Sequence, residues 1–124
     1  MSKLDYFKAR IEATLSPMEY MQTSKANPGQ LVLVDVRNAP PEKMGKKISG
    51  ALLIPQQALA NRLSELPKDK TIVVYCWDTW CNLASFSAIT LLENGYDVVE
   101  LIGGIAAWEA VGFPTESLLT GSVI

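Results

Sequence analysis

The sequence predicts an α/β fold, a mostly parallel sheet covered by helices on both faces, from three observations. Two runs of branched aliphatics, LVLVDV at 31–36 and TIVVYC at 71–76, lack polar alternation, as strands buried on both faces do. Strand-like and helix-like segments alternate along the chain, the order that parallel strands joined by helical crossovers require. With 124 residues, 48% of them apolar, the chain suits one compact domain that buries most of its apolar surface.

In chain order, Leu4, Phe7, Ile11 and Leu15 fall at helical spacing, so residues 3–15 are expected to form an amphipathic helix. Ser16 and Pro17 restart the chain: serine as N-cap, proline at the first helical position and Glu19 at the third mark a new helix. The turn residues NPGQ at 27–30 end it and lead into the strand at 31–36. ISGALLIP at 48–55 reads as a short strand closed by proline, and QQALANRLSELP at 56–67 as a helix with Leu59, Leu63 and Leu66 on one face. After the strand at 71–76 and a cysteine-containing stretch, NLASFSAITLLENGY at 82–96 reads as a helix stopped by Asn94-Gly95. DVVELIGG at 97–104 is a strand entering a glycine turn, and IAAWEAVGFP at 105–114 a last helix ended by glycine and proline. In an open parallel sheet, ligands bind outside the carboxyl ends of the strands, where Arg37 and Cys76 both fall.

Composition removes several function classes. The chain has no histidine, so Cys–His nucleophilic catalysis is excluded. Its two cysteines, Cys76 and Cys81, are too few for a disulfide framework, and a four-coordinate zinc would need two further Cys or His ligands, so no metal is expected. Net charge is −2, but all 11 Lys and Arg lie in residues 1–70, whereas residues 71–124 hold 6 acids and no base. No basic stretch interleaved with aromatics supports nucleic-acid binding, and KMGKK at 43–47 reads most simply as a solvated loop. No segment approaches the roughly 20 apolar residues of a membrane span, and the charged start lacks a secretory apolar core, so a cytoplasmic, membrane-free location is expected.

Five stretches, in order, then resemble a known family: Ser16-Pro17, LVDVR at 33–37, ISGALLIP at 48–55, VVYC at 73–76 and NGYDVVELIGGIAAWEAVGFP at 94–114. Together they are similar to the rhodanese-like, single-domain sulfurtransferases, and the double glycine followed by Ala107-Trp108 and Gly112-x-Pro114 is the most specific part. The resemblance divides the chain into an N-terminal amphipathic helix extension at 1–15, a rhodanese-like domain at 16–115 and a C-terminal tail at 116–124. It implies a five-stranded, mostly parallel central sheet and a nucleophilic cysteine heading a six-residue loop between a strand and a helix; Cys76 holds that place. The implied reaction is a double displacement without a cofactor. The thiolate takes a sulfane sulfur from a donor such as thiosulfate, holds it as a persulfide and passes it to a thiophilic acceptor, a small thiol or a protein thiol. A monomer and a homodimer fit equally.

The loop suits this chemistry. A cysteine before a helix N-terminus gains thiolate character from unpaired backbone N–H groups and the helix dipole. Trp77, Asp78, Thr79, Trp80, Cys81 and Asn82 can wrap into an anion cradle for a thiolate or persulfide exposed at the sheet edge. A cysteine phosphatase would need an arginine six residues after the nucleophile, and Asn82 stands there. Active family members commonly carry a basic residue and a glycine in this loop; here Thr79 replaces the glycine, and Asp78 brings a charge that opposes thiosulfate. Arg37 is either a nearby cation or a structural partner of Asp35. Cys81 is either a resolving thiol that closes an internal disulfide on Cys76 or a small buried residue at the helix start. Its position is similar to that in a double-cysteine rhodanese subgroup whose loop also ends in Cys-Asn. Trp108 reads as packing, whereas one of Trp77 and Trp80 is expected at a pocket mouth. Two functions follow: a persulfide-forming sulfurtransferase, or a non-catalytic or redox-regulated rhodanese-fold binding module.

Overall fold

The two unalternating runs form the centre of the sheet in the computed structural model, which describes residues 1–119. In chain order the elements are α1 (Lys3–Ala13), β1 (Thr14–Leu15), α2 (Pro17–Ala26), β2 (Leu31–Asp35), α3 (Pro41–Met44), β3 (Lys46–Ile48) and β4 (Leu52–Leu53). There follow α4 (Gln56–Leu59), a 3-10 turn at Leu63–Glu65, β5 (Thr71–Tyr75), α5 (Leu83–Glu93), β6 (Asp97–Leu101), α6 (Gly104–Ala110) and β7 (Thr115–Ser117). The main sheet has five strands in the order β1-β6-β5-β2-β4, every neighbouring pair parallel. β2 and β5 run together from Leu31 opposite Thr71 to Asp35 opposite Tyr75.

Strand alternation sorts the core into two layers. Val34, Val36, Ile72, Val74 and Cys76 meet Leu59, Leu66, Ala84 and Leu91 from α4, the 3-10 segment and α5. Leu33, Val73, Tyr75 and Leu101 meet Ile105 and Trp108 of α6, with Tyr20 and Met21 of α2 packed against them. The double coverage explains why the central strands show no polar alternation. Trp108 is buried in this second layer, its indole N–H donating to the Pro114 carbonyl at 2.8 Å and its ring edge-on to Tyr20 and Phe113.

Three expectations are corrected. The first helix ends at Ala13, and Leu15 leaves it for β1, a strand of two residues whose partners are Glu100 and Leu101. That short strand completes the five, and two residues carry no periodicity to read. The helix itself buries none of its residues, and Leu4, Phe7 and Ile11 are all exposed. Residues 56–67 break into α4 and a 3-10 turn that Pro67 follows; the Leu63 carbonyl accepts from Leu66 N–H at 3.0 Å and from the Tyr96 hydroxyl at 2.7 Å, while Pro67 has no N–H to offer it. Leu59, Leu63 and Leu66 still share one cluster. KMGKK is more than a solvated loop: Lys46–Ile48 pair antiparallel with Thr115–Ser117, so the C-terminal segment opens as a strand. Lys46 meets Glu109 at 2.5 Å and Lys47 meets Glu116 at 3.3 Å, which brings basic and acidic halves of the chain together. Residues 120–124 of the expected tail lie outside the described residues. Among the described residues no helix is long and apolar enough to cross a membrane.

Candidate functional site

β5 carries Cys76 to the carboxyl edge of the sheet, and the chain turns through Trp77 to Asn82 into α5. Cys76 and Cys81 face each other across this loop and are joined as a disulfide, their Cα atoms 6.3 Å apart. The exposed Cys76 sulfur expected from the sequence is not found in this oxidised form. Cys76 is 3% exposed and Cys81 8%, and both belong to the core cluster on the α5 side. A bonded sulfur carries no charge and packs as a small apolar group, which suits both cysteines to this cluster.

Two loop amides serve Asp78: Thr79 N–H donates to its carboxylate at 2.6 Å, and Cys81 N–H to its carbonyl at 3.1 Å. Asp78 therefore organises the turn. The N–H groups of Trp77, Asp78, Trp80 and Asn82 have no acceptor among the described residues. They remain available to an anion, as do the first amides of α5, whose Asn82 N-cap gives them no side-chain bond.

Two walls hold the loop. On one side the N-terminal turn of α6 donates to it, Ile105 N–H to the Cys76 carbonyl at 3.0 Å and Ala106 N–H to the Trp77 carbonyl at 3.1 Å. This close approach needs glycine at 104: its φ is +59°, and a Cβ there would lie 2.8 Å from the Cys76 carbonyl carbon and 2.9 Å from that of Trp77. The sequence showed Gly103-Gly104 as a turn and as a family motif, but not as the latch on the cysteine loop.

On the other side Asp35 and Arg37, both buried, form a forked ion pair, Arg37 Nη2 to Asp35 Oδ2 at 2.6 Å and Nε to Oδ1 at 3.0 Å. Tyr75 donates its hydroxyl to Asp35 at 2.6 Å and accepts from Ile48 N–H at 3.0 Å. Burial first, then the Asp35 charge, push the Tyr75 phenol far above its ordinary range, so it stays a neutral donor. Arg37 also donates to the Lys46 carbonyl at 2.7 Å, and its guanidinium stacks 4.6 Å from the centre of the Trp77 ring. Arg37 is thus engaged through Nε and Nη2 as a structural partner and steadies the first residue of the loop. Tyr75 is the member of this network that the sequence did not single out. Its only signal was its place on a buried strand opposite Asp35. Trp77 is half-buried under Arg37, whereas Trp80 is 70% exposed at the loop's outer rim. Among the described residues no group of His, Cys, Asp or Glu could hold a metal ion.

With this geometry in hand, four likenesses bear on the site. A family model described as rhodanese-like domain matches residues 17–111. A sulfurtransferase from Allochromatium vinosum is 36% identical over 98 residues, which covers 77% of this chain and 88% of that protein. An HTH-type transcriptional regulator from Mycobacterium tuberculosis is 36% identical over 88 residues; the match takes in 71% of this chain and spans 38% of the regulator's length. A crystal structure of a full-length protein from Lactobacillus plantarum superposes with a TM-score of 0.87 at 30% identity, over 93% of this chain and 96% of that one.

Proposed function

The chain belongs to the rhodanese-like family, and from that premise we propose that it is a sulfurtransferase of the double-cysteine type, with Cys76 as the sulfur-carrying nucleophile and Cys81 as the resolving thiol. The observation that carries the reading is the bond between Cys76 and Cys81 across a loop at the carboxyl end of β5. Reduction of that bond by an external thiol leaves Cys76 beside the free loop amides and the start of α5, which favour its ionised form. The thiolate attacks the sulfane sulfur of a donor, the donor's S–S bond breaks and the donor remnant leaves as an anion. The outer sulfur then goes to an acceptor thiol, or Cys81 attacks the inner sulfur. The second route forms the internal disulfide and releases hydrogen sulfide, so atoms and electrons balance without another oxidant. That step yields the same Cys76–Cys81 bond that closes the loop. Donor and acceptor are small sulfane-sulfur compounds and thiols, or a protein thiol, and the chemistry suits a reducing compartment such as the cytoplasm.

The experiment is an intact-mass measurement on reduced protein after incubation with a sulfane-sulfur donor. A gain of about 32 Da, one sulfur atom, is expected in Cys81→Ser and absent from Cys76→Ser. A gain that survives Cys76→Ser overturns the assignment.

A second reading, a redox-regulated binding module, is favoured by the deep burial of Cys76, the loop's lack of a base and the likeness to a transcriptional regulator. It predicts no adduct with thiosulfate, tetrathionate or an organic trisulfide, together with a change in partner binding when the Cys76–Cys81 bond is reduced.

A further inference from the structure

A groove of about 520 Å³ opens beside the cysteine loop, at the carboxyl end of β6, with α1 and α5 as its walls. It exists because α1 turns Ala9 and Ala13 toward the sheet edge, and side chains this small leave space beneath the helix. Thr79 of the cysteine loop, Ser85 of α5, Glu100 of β6 and Arg10 of α1 all line it. Glu100 is half-buried there; one carboxylate oxygen accepts from the Ser85 hydroxyl at 3.1 Å, and the other has no donor among the described residues. Burial pushes its carboxyl above the ordinary range, as expected of an acid that lacks a counter-ion. The Arg10 guanidinium, exposed on α1, likewise has no acceptor among the described residues.

The surrounding charge narrows the ligand. Residues 71–124 supply no base, and Asp78 sits in the loop itself, so a purely anionic ligand meets repulsion. Arg37 is occupied by Asp35, which leaves Arg10 as the side-chain cation lining the groove. One unpaired carboxylate and one unpaired guanidinium in a single groove match a ligand bearing both an ammonium and a carboxylate.

Building on the sulfurtransferase reading, we propose that this groove binds the sulfur acceptor, an amino-acid-type thiol whose ammonium meets Glu100 and whose carboxylate meets Arg10. The acceptor thiolate attacks the outer sulfur of the Cys76 persulfide. The S–S bond to Cys76 breaks as a new S–S bond forms on the acceptor, and Cys76 leaves as a thiolate that recovers the acceptor's proton. No oxidant or reductant is consumed.

The test uses Cys81→Ser protein, which holds the persulfide, and follows its decay with cysteine, cysteamine, 3-mercaptopropionate and 2-mercaptoethanol at matched thiolate concentration. Cysteine is expected to react at least about tenfold faster than 2-mercaptoethanol, a factor of ten for one productive ion pair being ordinary. Glu100→Gln should slow cysteine and cysteamine about tenfold and spare 3-mercaptopropionate, while Arg10→Gln should slow cysteine and 3-mercaptopropionate and spare cysteamine. The rates are read from the loaded state, so loading speed does not enter. Equal rates for all four thiols, or variants that slow all of them alike, overturn the proposal.

A separate binding measurement distinguishes this proposal from the reading beneath it. S-methylcysteine, which cannot accept sulfur, should shift the amide resonances of Thr79, Ser85, Glu100 and Gly103 in the wild-type protein and fail to do so in Glu100→Gln. Shifts without sulfur loading leave the groove standing and remove the sulfurtransferase reading. Loading without shifts removes the groove.

Discussion

The Asp35 carboxylate is the most heavily supported group beside the cysteine loop, held by Arg37 and by the Tyr75 hydroxyl with no access to water. A buried pair of this kind contributes little net stability when intact, but losing one partner strands a charge. Arg37→Met is therefore expected to cost roughly 3–5 kcal/mol in a denaturant titration, because Asp35 loses its counter-charge and keeps only the Tyr75 hydroxyl and the main-chain N–H of residue 37. Arg37→Lys should recover part of that loss, since an ammonium cannot reproduce the two-pronged contact or the stack on Trp77. A change under about 1 kcal/mol for Arg37→Met would show that the fork is dispensable. At this scale the sequence was partly legible. Asp35 and Arg37 stand two apart at a strand end, so their pairing could be read, and one of the two roles weighed for Arg37 is the one it fills. Tyr75 and Gly104 could not be read in the same way, because each acts on a segment far away in sequence that only the fold brings near.

Gly104 shows what the elements do for one another. The first amides of α6 lack partners within the helix, and the carbonyls of Cys76 and Trp77 satisfy two of them. A side chain at 104 must push that contact apart and also adopt a backbone conformation that disfavours any residue but glycine. Gly104→Ala is expected to cost about 1–3 kcal/mol and to slow sulfur loading of Cys76 while leaving the sheet intact. Thermal unfolding and the loading rate check both halves, and unchanged values in both would remove the latch. The central strands, α2, α5 and α6 were legible because long apolar runs, a capping box and glycine stops each point to one answer. Where the reading failed, the cause was local. The two-residue β1 has no pattern to show, and Pro67 ends a helix-like leucine spacing that the core keeps anyway. The exposed stripe of α1 marks the limit of periodicity: spacing identifies a face but not whether it is buried.

Charge and sulfur chemistry meet at the level of the whole molecule. The acidic second half closes on the basic first half through Lys46–Glu109 and Lys47–Glu116, and Glu100 is left half-buried without a basic partner among the described residues. Because its folded pKa is raised, the native state holds this proton to higher pH than the unfolded chain does, and stability falls as pH rises past the ordinary carboxyl range. Glu100→Gln removes that loss, so its stability relative to wild type should increase as pH rises through and above the ordinary carboxyl range. A difference that stays flat across this window would contradict the burial effect. The fold class and the place of Cys76 in it were legible from the sequence, whereas the inward packing of the closed loop and the groove beneath α1 depend on side-chain volumes that no motif encodes. The central claim is that Cys76 carries the sulfur and Cys81 releases it. Its most direct measurement is a rapid-quench time course with a sulfane donor labelled in its outer sulfur, followed by peptide mapping of reduced wild-type and Cys81→Ser protein. The account predicts label first on Cys76 in both, then its loss as sulfide in step with formation of the Cys76–Cys81 bond in wild type alone. Label that never reaches Cys76, or leaves equally fast without Cys81, would contradict it.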